Sequence, residues 1–352
     1  MIALSIGKAT YDTTIMVDEY PVENSKNIIK EKLDSSGGSA SNVAYLLAKW
    51  NYESYFAGIV GYDDYATFIK KDLESVKVKT NFLETNYEQK TTTTIILANR
   101  STTSRTQLMI EPEVYHLKKS EYDFTPDLIY TDGYEYSATM SALNKFPNAI
   151  SVLGAGLNYA SPKEVLSIAK SVKYIVFSLE FACEATRMRV DVTNPTHLLN
   201  LYKELRAKFP ENQIIVTLKN NGALFSINNE IKVMQTIPVT EVDRTGAGDV
   251  FDGALLYGLG KGYNLEIALR LANIAGALST TKYGAKPSIP MLSDVIQNYE
   301  SKFGPLDGSM NTSVAQPVNS EVQTGEVQNN TTAPSENIPN ENASATDAPK
   351  QG

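Results

Sequence analysis

Short apolar runs alternate with amphipathic segments along most of the chain. The β-prone runs at 2–6, 128–131, 149–153, 174–177 and 214–218 predict buried strands. Segments such as 137–146 and 198–209 carry apolar residues at helical spacing and predict helices. Strands that alternate with helices indicate a mostly parallel sheet with helices on both faces, so the predicted fold class is α/β.

A second set of strands is predicted in the first third of the chain. The segments 13–17, 78–82, 91–98 and 105–110 are rich in β-branched residues. The last two can pair across the polar turn NRSTTS. These strands interrupt the alternation of strand and helix.

The stretch 243–253, DRTGAGDVFDG, carries the main chemical signal. It follows a β-prone run at 237–242 and opens a segment of helical spacing, so we expect a strand, a glycine turn and a helix. The free N–H groups and the positive dipole end of such a helix suit an anion. Asp249 falls in the first helical turn, where a carboxylate can accept a proton from a hydroxyl. By spacing alone, such an acid is also ordinary helix capping.

Two further polar positions flank predicted strands or helices. The paired glycines Gly37 and Gly38 precede an amphipathic segment that contains Asn42, whose amide can donate to and accept from a sugar hydroxyl. Asp12 follows the opening strand, at the edge where open α/β sheets bind ligands. The alternatives are that Asn42 caps its helix and that Asp12 is a turn acid.

The last part of the chain differs in composition from the rest. Residues 305–352 contain no aromatic residue and carry six acidic residues against the single base Lys350, within a formal net charge of −8 for 352 residues. Such a segment buries too little apolar surface to offset its ordering entropy. We therefore expect a domain at 1–304 and a disordered tail at 305–352.

Composition also limits the class of protein. The single cysteine, Cys183, excludes an internal disulfide and suits a reducing compartment. Neither a signal peptide nor an apolar run long enough to span a bilayer is evident. No basic cluster indicates nucleic acid, and two histidines exclude a histidine-rich metal site. These features predict a cytoplasmic enzyme without membrane or nucleic-acid partners.

Two motifs together resemble a known family. D-x-T-G-A-G-D-x-F at 243–251 and GG-x-x-x-N-x-A at 37–44 are similar to the signatures of the ribokinase (PfkB) family of sugar and nucleoside kinases. The resemblance covers about 1–303. It implies a ribokinase-like three-layer fold with a mostly parallel central sheet and a small β lid from about 10–20 and 90–111. The implied activity is an ATP-dependent carbohydrate kinase.

The resemblance also implies roles for individual residues. Asp249 would be the catalytic base, and the amides of Gly246, Ala247 and Gly248 would hold the phosphoryl oxygens. The substrate side would comprise Asp12, Gly37, Gly38, Asn42 and Arg105. For Arg105 the alternative is a solvated turn charge. The nucleotide side would comprise Thr217, Lys219, Gly222, Thr245, Asn273 and Gly284.

Cofactors and partners follow from the same resemblance, with one departure. ATP with Mg²⁺ is implied, together with a monovalent cation near Gly284, and a homodimer through the lid. Many relatives carry Asn-x-x-Glu where this chain has FSLEFACEA, so Glu184 is the candidate metal-supporting residue and Glu180 its rival. The alternatives that stay open are a nucleoside kinase and a sugar-binding regulatory protein that has lost catalysis.

Overall fold

The computed structural model describes residues 1–112, 115–118, 121–156 and 161–306. The strands are β1 (Ile2–Ile6), β2 (Thr10–Val17), β3 (Lys32–Gly37), β4 (Glu53–Gly61), β5 (Lys79–Asn86), β6 (Thr93–Asn99), β7 (Arg105–Ile110), β8 (Leu128–Thr131), β9 (Ile150–Ala155), β10 (Tyr174–Ser178), β11 (Gln213–Thr217), β12 (Ala223–Ile227) and β13 (Glu230–Met234). The helices are α1 (Ser39–Lys49), α2 (Asp64–Ser75), α3 (Tyr136–Lys145), α4 (Pro162–Ala169), α5 (Leu179–Thr186), α6 (Pro195–Lys208), α7 (Ala247–Gly260), α8 (Leu265–Ser279), α9 (Ala285–Ser288) and α10 (Leu292–Phe303). Nearly all of the predicted tail, from residue 307 onward, lies outside the described residues.

Nine strands form the main sheet in the order β13-β12-β11-β10-β9-β8-β1-β4-β5. The pairs from β11 to β5 are parallel, and β12 and β13 add an antiparallel edge. Alternate residues of β8 belong to two hydrophobic clusters, since Tyr130 is part of the cluster that contains Trp50 and Phe251, and Ile129 is part of the cluster that contains Phe209. Burial on both faces explains why the central strands read as continuous apolar runs.

A second sheet of four strands, in the order β3-β2-β6-β7, forms the predicted lid. Burial alternates along β2, so that Asp12 and Thr14 face inward and Tyr11 and Ile15 face outward. β3 was not predicted, because KLDSSG contains no β-branched residue. Its antiparallel register with β2 supplies the strand conformation that its composition does not favour.

The strand predicted at 237–242 is wrong. Backbone amides of Val242 and Asp243 both donate to the carbonyl of Thr280, at 2.7 and 3.1 Å, where α8 ends. The backbone therefore passes the end of a helix instead of pairing with a strand. The predicted turn and helix follow directly, as α7 begins at Ala247.

The parallel strands β1, β8, β9, β10 and β11 all end at one edge of the main sheet. The inner face of the lid and the start of α7 lie at the same edge. Residues from the lid, from α7 and from this edge of the sheet line one cavity. In open α/β sheets this carboxyl edge is where ligands bind. Within the described residues, no helix combines the length and apolar character needed to cross a bilayer.

Candidate active site

The cavity at the carboxyl edge has a volume of about 600 Å³. Its floor is formed by residues that end or follow strands of the main sheet, namely Lys8, Asp132, Gly154, Ser178 and Thr217. The inner lid face and the first turn of α7 form its walls. This volume is typical of a small-molecule site.

The turn before α7 presents backbone donors to the cavity. Gly246 has φ 77°, which favours glycine, and a Cβ there would lie 2.7 Å from the Cβ of Ala285. The amides of Gly246, Gly248 and Asp249 donate to no atom of the described residues. The amide of Ala247, predicted to face an anion, instead donates to Arg244 O at 3.2 Å. The first turn of α7 therefore retains free donors and a favourable dipole for an anion.

Asp249 lines the cavity beside these donors. Its Oδ2 accepts a hydrogen bond from Asn42 Nδ2 at 2.6 Å, which joins the two glycine-rich motifs. Burial raises the pKa of Asp249, and hydrogen bonds from Asn42 and Ser39 partly offset that rise. A carboxylate with a raised pKa is suited to accept a proton.

The predicted substrate-side residues surround one end of the same cavity. Asp12, Gly38 and Asn42 line it, and Asp12 Oδ1 accepts from Thr10 Oγ1 at 2.7 Å. Gly37 is not in the lining, but a Cβ there would lie 1.9 Å from Asp12 Oδ2. Gly37 is therefore required to leave room for the Asp12 carboxylate.

Arg105 faces the cavity from the first position of β7, on the same side of the strand as Gln107 and Met109. The sequence did not single out Lys8, which also lines the cavity. Lys8 Nζ is paired with Glu111 and lies 4.1 Å from the centre of the Tyr134 ring.

The predicted nucleotide-side residues divide into two groups. Thr217, Lys219 and Thr245 line the cavity. The other three residues do not line the cavity but support the backbone around it. They are Gly222, Asn273 and Gly284. A Cβ at Gly222 would lie 1.8 Å from Met234 O, and Asn273 Nδ2 donates a hydrogen bond to that same oxygen at 3.4 Å. The amide of Gly284 donates to Asp243 Oδ2 at 2.8 Å.

The two acidic candidates for metal support occupy different environments. Glu180, in the first turn of α5, lines the cavity and forms an ion pair with Lys219. Glu184 is exposed further along the helix and does not line the cavity. Among the described residues, no group of three or more His, Cys, Asp or Glu side chains could hold a metal ion by itself.

A buried pair that the motifs did not reveal lies beside Asp249. Asp252 is one helical turn further along α7, and its Oδ2 accepts from Tyr130 Oη at 2.9 Å. A Cβ at Gly154 would lie 2.0 Å from Asp252 Oδ2, so that glycine makes room for the carboxyl group. Burial and the charge of Asp249 raise the pKa of Asp252. The i, i+3 spacing within DRTGAGDVFDG was the available signal.

Lys286 is a second missed residue. It is 3% exposed, and its Nζ lies 2.8 Å from Ser41 Oγ and 3.4 Å from Asp72 Oδ2. Burial lowers its pKa to about 8. The ammonium thereby connects the segment after Gly284 to α1 and α2.

Comparisons with known proteins agree with this architecture. Residues 3–292 match the model of the pfkB family carbohydrate kinases. The ribokinase of Bacillus subtilis is 24% identical over 307 residues, covering 82% of this chain and 96% of that protein. The fructokinase of Klebsiella pneumoniae is 25% identical over 291 residues, covering 75% and 91%.

Solved structures share the fold. Ribokinase from Cryptococcus neoformans in complex with ADP has a TM-score of 0.72 at 20% identity, covering 84% of this chain and 99% of that one. Arabidopsis thaliana ribokinase complexed with ribose and ATP has a TM-score of 0.70 at 19% identity, covering 84% and 97%. The predicted ribokinase-like fold is thus confirmed. Because the family match extends over most of its length, this chain belongs to the pfkB family of carbohydrate kinases.

Proposed function

We propose that this protein transfers the γ-phosphoryl group of ATP to a hydroxyl group of a sugar, with Asp249 as the base. The observation that carries the proposal is the hydrogen bond between Asn42 and Asp249 beside the free amides of α7. A buried carboxylate, free backbone amides and the residues Asp12, Gly38 and Asn42 thus surround one cavity, which supports these roles. The family membership of the chain supports the same reaction.

The acceptor would lie at the end of the cavity that contains Asp12, Gly38 and Asn42. The buried carboxylate of Asp12 would accept hydrogen bonds from sugar hydroxyls, and Asn42 can orient the carboxylate of Asp249 towards the reacting one. As the bond between the acceptor oxygen and phosphorus forms, the hydroxyl proton passes to Asp249 and ADP leaves. Phosphoryl transfer depends mainly on such alignment and on neutralising charge.

The amides of Gly246 and Gly248 would bind oxygens of the transferring phosphoryl group, joined by the amide of Asp249. Loss of one comparable donor lowers turnover by about 100- to 1,000-fold in oxyanion sites. Thr217, Lys219 and Thr245 would contact ATP, and Gly222, Asn273 and Gly284 would shape the backbone on that side. Solved structures of related ribokinases in complex with ADP and with ribose and ATP support the binding of a nucleotide by this fold.

Two carboxyl groups in the cavity wall suit Mg²⁺. Glu180 lines the cavity, and Asp252 Oδ1 has no hydrogen-bond partner among the described residues. Since Mg²⁺ in kinases takes one or two carboxylates together with phosphate oxygens and water, these two residues would hold it, in preference to the exposed Glu184. When bound, the ion neutralises charge on the phosphates.

The loop around Gly284 does not suit the monovalent cation that the resemblance implies. Both oxygens of Asp243 already accept hydrogen bonds, Oδ1 from Thr245 and Oδ2 from Gly284. The buried ammonium of Lys286 already supplies a positive charge nearby. We therefore assign no ion to this loop.

Two further features complete the proposal. The enzyme would work in the cytoplasm, as its single cysteine suggests. Two copies would associate through the outer face of the lid, where Leu108 and Ile110 are 52% and 62% exposed.

The test of this function is the substitution Asp249→Asn. With the wild-type protein, ADP release is first measured against a panel of ketoses, pentoses, sugar phosphates and nucleosides. The substitution should lower turnover on the best acceptor by about 100-fold or more, because loss of a general base typically costs 10²–10⁴, while sugar binding measured by calorimetry changes little.

A matched control is Asp294→Asn, which changes an exposed acid at the same position of the first turn in α10. It should leave turnover unchanged. Near-normal turnover of Asp249→Asn would refute the base assignment. Release of ADP with nucleosides alone would favour a nucleoside kinase, and sugar binding without ADP release would favour a regulatory protein.

A further inference from the structure

Arg105 is a lid residue whose charge faces the cavity. It is the first residue of β7 and is held in register opposite Ala98 of β6. Because side chains alternate along a strand, Arg105, Gln107 and Met109 line the cavity while Leu108 and Ile110 face outward. The direction of the guanidinium is therefore determined by the pairing of the lid strands.

The other cations of the cavity wall are neutralised by carboxylates. Lys8 is paired with Glu111, Lys219 with Glu180 and Arg244 with Glu241. The guanidinium of Arg105 forms no ion pair or hydrogen bond with any of the residues that the structure describes. Among the described residues, Arg105 is therefore an unpaired cation in the lid wall of the cavity. The same cavity contains the carboxyl groups of Asp12, Asp249 and Asp252.

The charge of Arg105 acts on carboxylates at both sides of the proposed transfer point. Burial raises the pKa of Asp249, and the positive charge of Arg105 is among the effects that oppose this rise. Burial also acts against ionisation of Glu180, but Lys219 and the charge of Arg105 hold the pKa of Glu180 below its ordinary value. Asp249 lies on the acceptor side and Glu180 on the nucleotide side of the cavity.

We propose that Arg105 binds the phosphoryl group during its transfer, from the lid and opposite the free amides of α7. This inference rests on the proposed function. The bond from phosphorus to the bridging oxygen of ATP breaks, the bond to the acceptor oxygen forms, and the proton moves to Asp249. Arg105 stays protonated throughout and donates to the phosphoryl oxygens, as guanidinium groups do in other phosphoryl-transfer enzymes.

Arg105 could instead bind an anionic acceptor substrate. The ion pair of Lys8 favours the assignment of Arg105 to the phosphoryl group. Lys8 lies at the acceptor end of the cavity near Thr10, and its ammonium is already paired with Glu111 and stacked on Tyr134. That end therefore offers hydrogen-bonding groups and a cation that is already neutralised. A neutral polyhydroxylated acceptor fits it, and the unpaired charge of Arg105 is left for the phosphoryl group.

The experiment compares Arg105→Gln and Arg105→Lys with wild type on the best acceptor of the panel. Arg105→Gln should lower kcat by about 100- to 1,000-fold, the cost of losing one donor to developing charge, with the Kd for the sugar nearly unchanged. Arg105→Lys should recover part of the loss, and added guanidinium should partly restore turnover of Arg105→Gln. A matched control is Arg100→Gln in the turn before β7, where Arg100 pairs with Glu31 outside the cavity lining.

The outcomes separate this inference from the proposed function. If kcat of Arg105→Gln stays within about threefold of wild type, less than the loss of one donor predicts, Arg105 does not contact the phosphoryl group. A rise in KM for an anionic acceptor alone would assign Arg105 to the substrate and overturn the inference. If the wild-type protein releases no ADP with any acceptor, the proposed function itself fails, whatever the variants do. Melting temperatures of the variants establish that each is folded.

Discussion

Asn42 and Asp249 show how one hydrogen bond affects the ionisation of the proposed catalytic group. Asp249 can act as a base only when it is ionised, and burial disfavours the ionised form. The amide of Asn42 donates to the carboxylate and therefore favours ionisation. The proposed base is thus more basic than a free carboxylate, while its contact with Asn42 favours the ionised form that can accept a proton.

The Asn42 contact predicts a pH dependence. Replacing Asn42 with alanine removes a donor to the ionised form, so the pKa of Asp249 rises further above its ordinary value. Since activity requires the ionised form, the acidic limb of kcat/KM should move to higher pH. Rates measured across the acid and neutral range test this, with Asn298→Ala, a half-buried residue of α10 that does not line the cavity, as control. An acidic limb that stays in place, or moves to lower pH, would contradict the role of Asn42.

At the scale of elements, the lid has two faces with different chemistry. The inner face contributes Asp12, Thr94 and Arg105 to the cavity. The outer face carries Leu108 and Ile110, both more than half exposed. Exposed aliphatic residues on adjacent outward positions of a strand are typical of an interface with a partner.

From the exposed aliphatic residues of the outer lid face we predict a homodimer. A single charge introduced on that face should disrupt it. Leu108→Asp should convert a homodimer to a monomer, because an aspartate there would be buried without a partner. Light scattering during size-exclusion chromatography measures the change. Val233→Asp on β13 is the control, since it changes an exposed aliphatic residue on a strand of the other sheet. A wild-type monomer at all concentrations, or a dimer unaffected by Leu108→Asp, would refute this interface.

The sequence predicted those elements whose pattern is local. β1 and β8 match the predicted ranges, because buried parallel strands read as uninterrupted apolar runs. β3 and the segment 237–242 were misjudged, since pairing with β2 and bonding to Thr280 depend on contacts distant in sequence. At the site, the motif identified Asp249, but only the folded chain brings Tyr130 to Asp252.

At the scale of the whole molecule, Leu306 is a contact of the hydrophobic core close to the predicted domain boundary. The domain was expected to end at residue 304, whereas Leu306 still packs against the cluster that contains Trp50 and Phe251. Its amide also donates to Glu300 Oε1 at 3.3 Å. A shortened protein should therefore keep Leu306.

Two truncations test the boundary and the tail. Deleting 307–352 should leave kcat/KM and the melting temperature unchanged, because every described residue that lines the cavity is retained. Deleting 305–352 should also keep activity but lower stability by about 1 kcal/mol, the scale of a partly buried leucine. Activity assays and thermal unfolding of both proteins measure this. A large loss of activity on deleting 307–352 would show that the tail takes part in catalysis.

The contact between Asn42 and Asp249 joins positions 207 residues apart. At a translation rate of about 5–20 residues per second, the ribosome needs roughly 10–40 s to pass from one to the other. Throughout that interval the nascent polypeptide carries Asp12 and Asn42 but not the proposed base, Asp249. A prematurely terminated product would therefore lack the means to consume ATP.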